Sequence, residues 1–222
     1  MVLLYTNDPD AHYTYIERAK AKGYDVLLMN GELDVHCMSQ AEQKHEKLRF
    51  VRIDSDTIEN LIKKEETAKD TYSNEQKEGL RKAFEALLPT SEDKLRYYVT
   101  CEAAAADALP VFLTQNEFMR RMKEMSAHQQ GMSFYGQMPD SYNLVLNTAH
   151  PLIQKLVGKE VSEEVQEEEE KDGKKETVVK TVYKLNGEDE RMKQLIDIAL
   201  LASGQLKGEA LAKFVNRSVE ML

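Results

Sequence analysis

The sequence predicts an α+β protein, in which a small α/β three-layer unit is followed by an α+β unit that ends in a helical hairpin. Three observations carry this. Short apolar runs alternate with amphipathic segments over the first part of the chain. A charged joint is followed by further β-like runs. The chain then closes on two amphipathic segments separated by a glycine-containing turn. The units are placed at 1–60, 61–88 (connecting helices) and 89–222, the last with an acidic insertion over 159–176.

Val2–Thr6 is a short apolar strand, and Asp8-Pro9-Asp10 opens a helix over Ala11–Lys22. Tyr15, Ile16 and Ala19 form its inner face, and Gly23 closes it. Tyr24–Met29 is a second strand, Val35–Lys47 a helix, and Leu48–Ile53 a third strand, giving a βαβαβ layer with parallel pairing. Asp56-x-x-Glu59 has the form of a capping box for a short helix. Ser73-x-x-Gln76 has the same form for a longer helix that stops before Pro89. Asn60–Thr71 is charged and poor in apolar residues, as a joint between units would be.

Leu95–Cys101, Leu109–Leu113 and Tyr142–Leu146 are the strands of the second unit, and Thr114-x-x-Glu117 is read as the cap of the helix that follows. That helix carries a methionine stripe. Phe118, Met119, Met122 and Met125 fall on one face, with Arg120, Arg121, Lys123 and Glu124 on the other. The loop beyond it adds Met132, Phe134, Tyr135 and Met138 between glycines. Methionine is flexible and polarizable, which suits a surface that must fit many shapes, although the same stripe also suits an ordinary core. Thr148 starts a helix with Pro151 in its first turn, carrying Leu152, Ile153, Leu156 and Val157.

Lys159–Glu176 holds nine acids against four lysines, so it is read as a solvated, mobile insertion that buries nothing. Thr177–Tyr183 is more β-like. The closing hairpin has Met192, Leu195, Ile196, Ala199 and Leu200 on one stripe of its first helix, with Ile198 and Leu201 outside it. Leu211, Phe214, Val215, Ser218 and Leu222 line its second helix, with Val219 beside them. This apolar surface is too wide for a hairpin to bury alone. Either it packs on its own unit, or two copies close a four-helix bundle across a twofold axis.

A net charge of −9 argues against a general nucleic-acid binder, and no apolar run is long enough for a membrane helix. The chain opens on a strand with no leader, as an excised fragment would. Two cysteines without CxxC spacing fit a reducing, cytoplasmic compartment. There is no phosphate loop and no nucleophile elbow, and His36, Cys37 and His45 match no standard zinc spacing. His12, His128 and His150 are isolated, and Asp54 and Asp56 suit helix capping. No catalysis and no metal are expected in this chain.

Several stretches resemble the ninety-kilodalton heat-shock chaperones, in their bacterial form. Leu3-Leu4-Tyr5-Thr6 through Tyr15-Ile16-Glu17, Ala21–Met29 and Phe50–Asp56 are similar to the end of that family's middle domain. Leu109–Thr114, the methionine helix, Leu146–Leu152 and the closing Phe214–Leu222 are similar to its C-terminal domain. The acidic insertion departs from the bacterial pattern, and the acidic tail of the eukaryotic cytosolic relatives is absent from the sequence.

The resemblance implies a non-catalytic portion of an ATP-dependent folding clamp, with ATP and magnesium bound in an N-terminal domain outside this sequence. It implies non-native client proteins on Phe118, Met119, Met122, Met125, Met132, Phe134, Tyr135 and Met138. It implies a homodimer through Met192, Leu195, Ile196, Ala199, Leu200, Leu211, Phe214, Val215, Ser218 and Leu222. Neither nucleic acid nor membrane is an expected partner. The alternatives are a non-enzymatic adaptor whose methionine stripe is core and, further off, a small hydrolase or transferase built on the first α/β layer.

Overall fold

The computed structural model describes residues 1–56, 61–62, 71–89, 95–104, 108–128, 138–156, 160–168, 175–183 and 189–221. Strands β1 (Val2–Thr6), β2 (Val26–Leu28) and β3 (Arg49–Arg52) form a parallel sheet in the order β2-β1-β3. Helices α1 (Tyr13–Ala21) and α2 (Asp34–Lys44) connect them, so the expected βαβαβ layer is present. Its core is small, with Leu4, Ile16, Ala19 and Ile53 buried and Tyr15, Tyr24 and Val26 packed around them. Gly23 has φ +79°, a conformation that glycine adopts without strain where it ends α1.

The second unit is larger. Helix α3 (Asn74–Leu87) begins with the expected capping box. Gln76 N–H donates to the Ser73 hydroxyl, and Ser73 N–H donates back to the Gln76 side chain. Placed in the sequence among connecting helices, α3 is instead built into the second core, because Leu80 and Phe84, one turn apart, are both fully buried there. The short helix expected after Asp56 lies outside the described residues, as does most of the charged joint.

Strands β4 (Leu95–Glu102), β5 (Val111–Gln115) and β6 (Asp140–Asn147) form a mixed sheet in the order β4-β6-β5, parallel for the first pair and antiparallel for the second. Period-two alternation sends Val99, Val111, Leu113, Leu144 and Leu146 into one core. Helices α5 (Pro151–Leu156) and α6 (Asp189–Ala202) complete it through Ile153, Leu156, Met192, Ile196, Ala199 and Leu200. On the other face of the sheet, Phe112 and Val145 form a small cluster with Ala104 and Ala108.

Two expectations are corrected here. The cap of helix α4 (Glu117–His128) is Asn116, whose side-chain oxygen accepts from Met119 N–H at 3.1 Å. Thr114 belongs to β5 and is buried opposite Asn143, so it is not a cap. The acidic stretch is not without structure either. Glu160–Glu168 (β7) pairs antiparallel with Lys175–Tyr183 (β8) from Glu160↔Tyr183 to Glu168↔Lys175. The pairing sets Val161 opposite Val182 and Val165 opposite Val178, matches that neither strand displays alone.

Candidate functional site

Two surfaces carry the residues singled out in the sequence. The first is α4. Phe118 stands 64 % exposed, while Met119, Met122 and Met125 are half-buried. Met119 and Met138 line the same small cavity, together with Gln115, Arg120 and Lys123. Met132, Phe134 and Tyr135 lie outside the described residues.

The opposite side of α4, which carries its charges, faces the first unit. Arg120 is only 6 % exposed. Its guanidinium donates to Glu117 Oε1 at 2.8 Å, to Glu124 and to the Tyr5 hydroxyl. Arg121 donates to Glu117 Oε1 at 2.6 Å, to Glu42 Oε2 at 2.9 Å and to the carbonyl of Phe50. The Tyr5 hydroxyl donates to Glu117 Oε1 at 2.9 Å. Burial and the Glu117 carboxylate push that phenol up to about 12, so it stays protonated. Burial opposes the charge of Arg120, but Glu117, Tyr5 and Glu124 outweigh it and hold its pKa above the ordinary value.

Beside this lies a second buried pair. Arg52 donates to both oxygens of Asp54, at 2.6 and 2.7 Å, and to Gln115 Oε1 at 2.8 Å. Burial raises the Asp54 pKa, but the Arg52 guanidinium outweighs it and holds the carboxyl below its ordinary value. His12, isolated in the sequence, bonds Thr6 Oγ1 through Nδ1 at 2.8 Å and brings Nε2 to 3.4 Å from Asp54. Burial keeps the His12 pKa below its usual range despite that carboxylate, so the ring is neutral at pH 7. Asp54 is thus an ion-pair partner and not the helix cap its position suggested.

The second surface is the α6–α7 hairpin, with α7 spanning Gly208–Glu220. Gly204, at φ +70°, ends α6. Met192, Ile196, Ala199 and Leu200, assigned in the sequence to a dimer contact, are buried in the protomer's own core. Ser218 is engaged inside the hairpin, accepting from Gln194 at 2.7 Å and donating to the Phe214 carbonyl at 2.7 Å. The four apolar side chains are therefore engaged within one protomer, whereas Ser218 is half-buried. Leu195, Leu211 and Phe214 are half-buried against the same core. Val215 is exposed, and Leu222 lies outside the described residues.

The apolar residues left in solvent are those beside the expected stripe. Ile198 and Leu201 on α6 and Val215, Val219 and Met221 at the end of the chain are exposed, as is Leu152 on α5. Ile198, Leu195, Leu152, Leu156 and Met221 line an apolar groove of about 300 Å³. Arg217 holds α7 to α6 by donating to Gln194 at 2.8 Å and to the buried Asp197.

A sequence profile described as "Hsp90 protein" matches residues 8–187, most of the chain. The chain belongs to the Hsp90 family. Over its whole length it is 42% identical to a protein of Porphyromonas gingivalis named "Chaperone protein HtpG", of which it covers 38%. Proteins of the same name from Bacteroides fragilis (41%) and Bacteroides thetaiotaomicron (42%) match over the same share of each chain. This Hsp90-family chain thus spans well under half the length of the curated relatives it matches. Among the described residues no helix is long and apolar enough to cross a membrane, and no group of three or more His, Cys, Asp or Glu is arranged to hold a metal ion.

Proposed function

We propose that this chain is the dimerizing, client-contacting portion of an Hsp90-type chaperone. The observation that carries the reading is the outer apolar row Ile198, Leu201, Val215, Val219 and Met221, which the protomer leaves uncovered beside its groove. A row of this kind on two antiparallel helices suits a twofold contact with its own copy. Joining two copies raises the effective concentration of whatever domains are tethered to them. ATP binding and hydrolysis belong, in this reading, to parts of the full protein outside this sequence, and titration of this chain with ATP and magnesium should show no binding heat.

Light scattering across a dilution series tests the contact. The parent should give the mass of two chains, and Val215→Asp with Val219→Asp should give the mass of one with an unchanged helix content by circular dichroism. A parent that stays a single chain at high concentration overturns the reading. Substituting Leu195 and Phe214 is a poorer test, because both pack on the protomer's own core.

The client surface is α4, with Phe118 as its exposed anchor. Binding there is expected to be weak, since mobile side chains lose entropy on contact. Phe118→Ser with Met122→Ser should lower the suppression of aggregation of an unfolding client while leaving the dimer intact. Full protection by that variant would remove α4 from the reading.

A further inference from the structure

We infer that α4 is mechanically part of the first unit, held there through Glu117 as a positioning residue, so that rotation of the first unit carries Phe118 with it. The consequence for clients rests on the reading of Phe118 above, whereas the attachment rests on geometry alone.

The two carboxylate oxygens of Glu117 receive four donors drawn equally from both units. Arg120 (2.8 Å) and Arg121 (2.6 Å) come from α4 itself. The Tyr5 hydroxyl (2.9 Å) and the backbone N–H of Arg52 (3.3 Å) come from β1 and β3. Arg121 continues across to Glu42 on α2 and to the carbonyl of Phe50 on β3. Helix α4 lies against α2 of the first unit. Its salt bridge from Lys123 to Asp140 of its own sheet, at 2.7 Å, has both side chains about one-third exposed or more, and exposed pairs contribute little.

The strand leading into α4 is fastened in the same way. Gln115 N–H donates to the Asp54 carbonyl at 3.1 Å, and Gln115 Oε1 accepts from Arg52. The Tyr15 hydroxyl donates to the Leu113 carbonyl at 2.6 Å. Apolar contacts tolerate sliding. Apolar neighbours fix no orientation for a half-buried carboxylate, whereas four fixed donors satisfy Glu117 best in one, and displacement leaves the buried Arg120 guanidinium short of a partner. Such a seam adds little net stability over an apolar one, but it holds a single geometry.

The test is amide hydrogen exchange on the full chain carrying Glu117→Gln, which removes the charge and keeps the shape. Exchange at Met119–Ser126 should quicken by about tenfold or more, with Leu144, Leu146 and Ile196 at parental rates. Unchanged α4 rates overturn the inference, and so does a uniform loss of protection, which would mean that Glu117 supports the fold at large. Tyr5→Phe removes one donor without stranding a charge and should give a smaller rise confined to α4 and β1. The absence of that rise is also fatal. A distance measurement between spin labels at Cys37 on α2 and Phe118→Cys on α4, with Cys101→Ser, should be narrow in the parent and broad with Glu117→Gln. If the seam loosens while client protection is unaffected, the attachment stands and the client reading of Phe118 falls.

Discussion

Helix α4 packs a buried Arg120 and a half-buried Arg121 against the first unit and leaves Phe118 in solvent, whereas α6 buries Met192, Ile196 and Ala199 and leaves Ile198 and Leu201 exposed. Both helices are amphipathic. In α4 the charged face is the anchored one, because each guanidinium meets two carboxylates at hydrogen-bond distance, which satisfies an ion that burial would otherwise expel. In α6 the apolar face is the anchored one, and a second apolar row is left over. Polarity by itself therefore does not say which side of a helix faces in, since the partners available on the neighbouring element decide it.

That contrast can be broken at single residues. The largest effect is expected for Asp54→Asn, which strands Arg52 in a buried site and should lower stability by about 4 kcal/mol in chemical denaturation. Ile196→Ala, in a fully buried position, should lower it by about 3 kcal/mol. Acidification should destabilise the seam in two steps. The His12 and Asp54 pKa values both lie below their ordinary 6.5 and 3.8, so the unfolded chain binds more protons in each window and stability rises with pH. The His12 contribution is present above pH 6.5 and is lost as pH falls from there towards its folded value. The Asp54 contribution is lost only below 3.8. Melting temperature against pH should show both steps, and His12→Gln should remove the upper one. The smallest effect is expected for Ile198→Ala, within about 0.5 kcal/mol of the parent protomer although it lies two residues from Ile196. A large loss that persists in the Val215→Asp, Val219→Asp background would mean that the outer row is already covered within one copy.

Much of the fold was legible in the sequence because its signals are local. Alternating runs and Gly23 mark the first layer, and the Ser73–Gln76 box marks α3. What escaped depends on partners distant in the chain. Asn116 takes the cap of α4 because β5 runs on to Gln115 in register with β6, which draws Thr114 into the sheet. The inward role of Arg120 and Arg121 requires Tyr5 and Glu42, more than seventy residues away. The outer apolar row was visible as Ile198, Leu201 and Val219, but only the burial of Met192, Ile196, Ala199 and Leu200 within one protomer separates the row facing in from the row facing out.

The β7–β8 hairpin has a consequence for solubility. In its two-stranded sheet, β7 pairs only with β8 among the described residues, so its other margin holds backbone groups capable of templating another strand. Five glutamates lie along it at positions 160, 163, 164, 167 and 168. By sequence this margin is strongly acidic, and like charge on two copies opposes the pairing of one such edge with another.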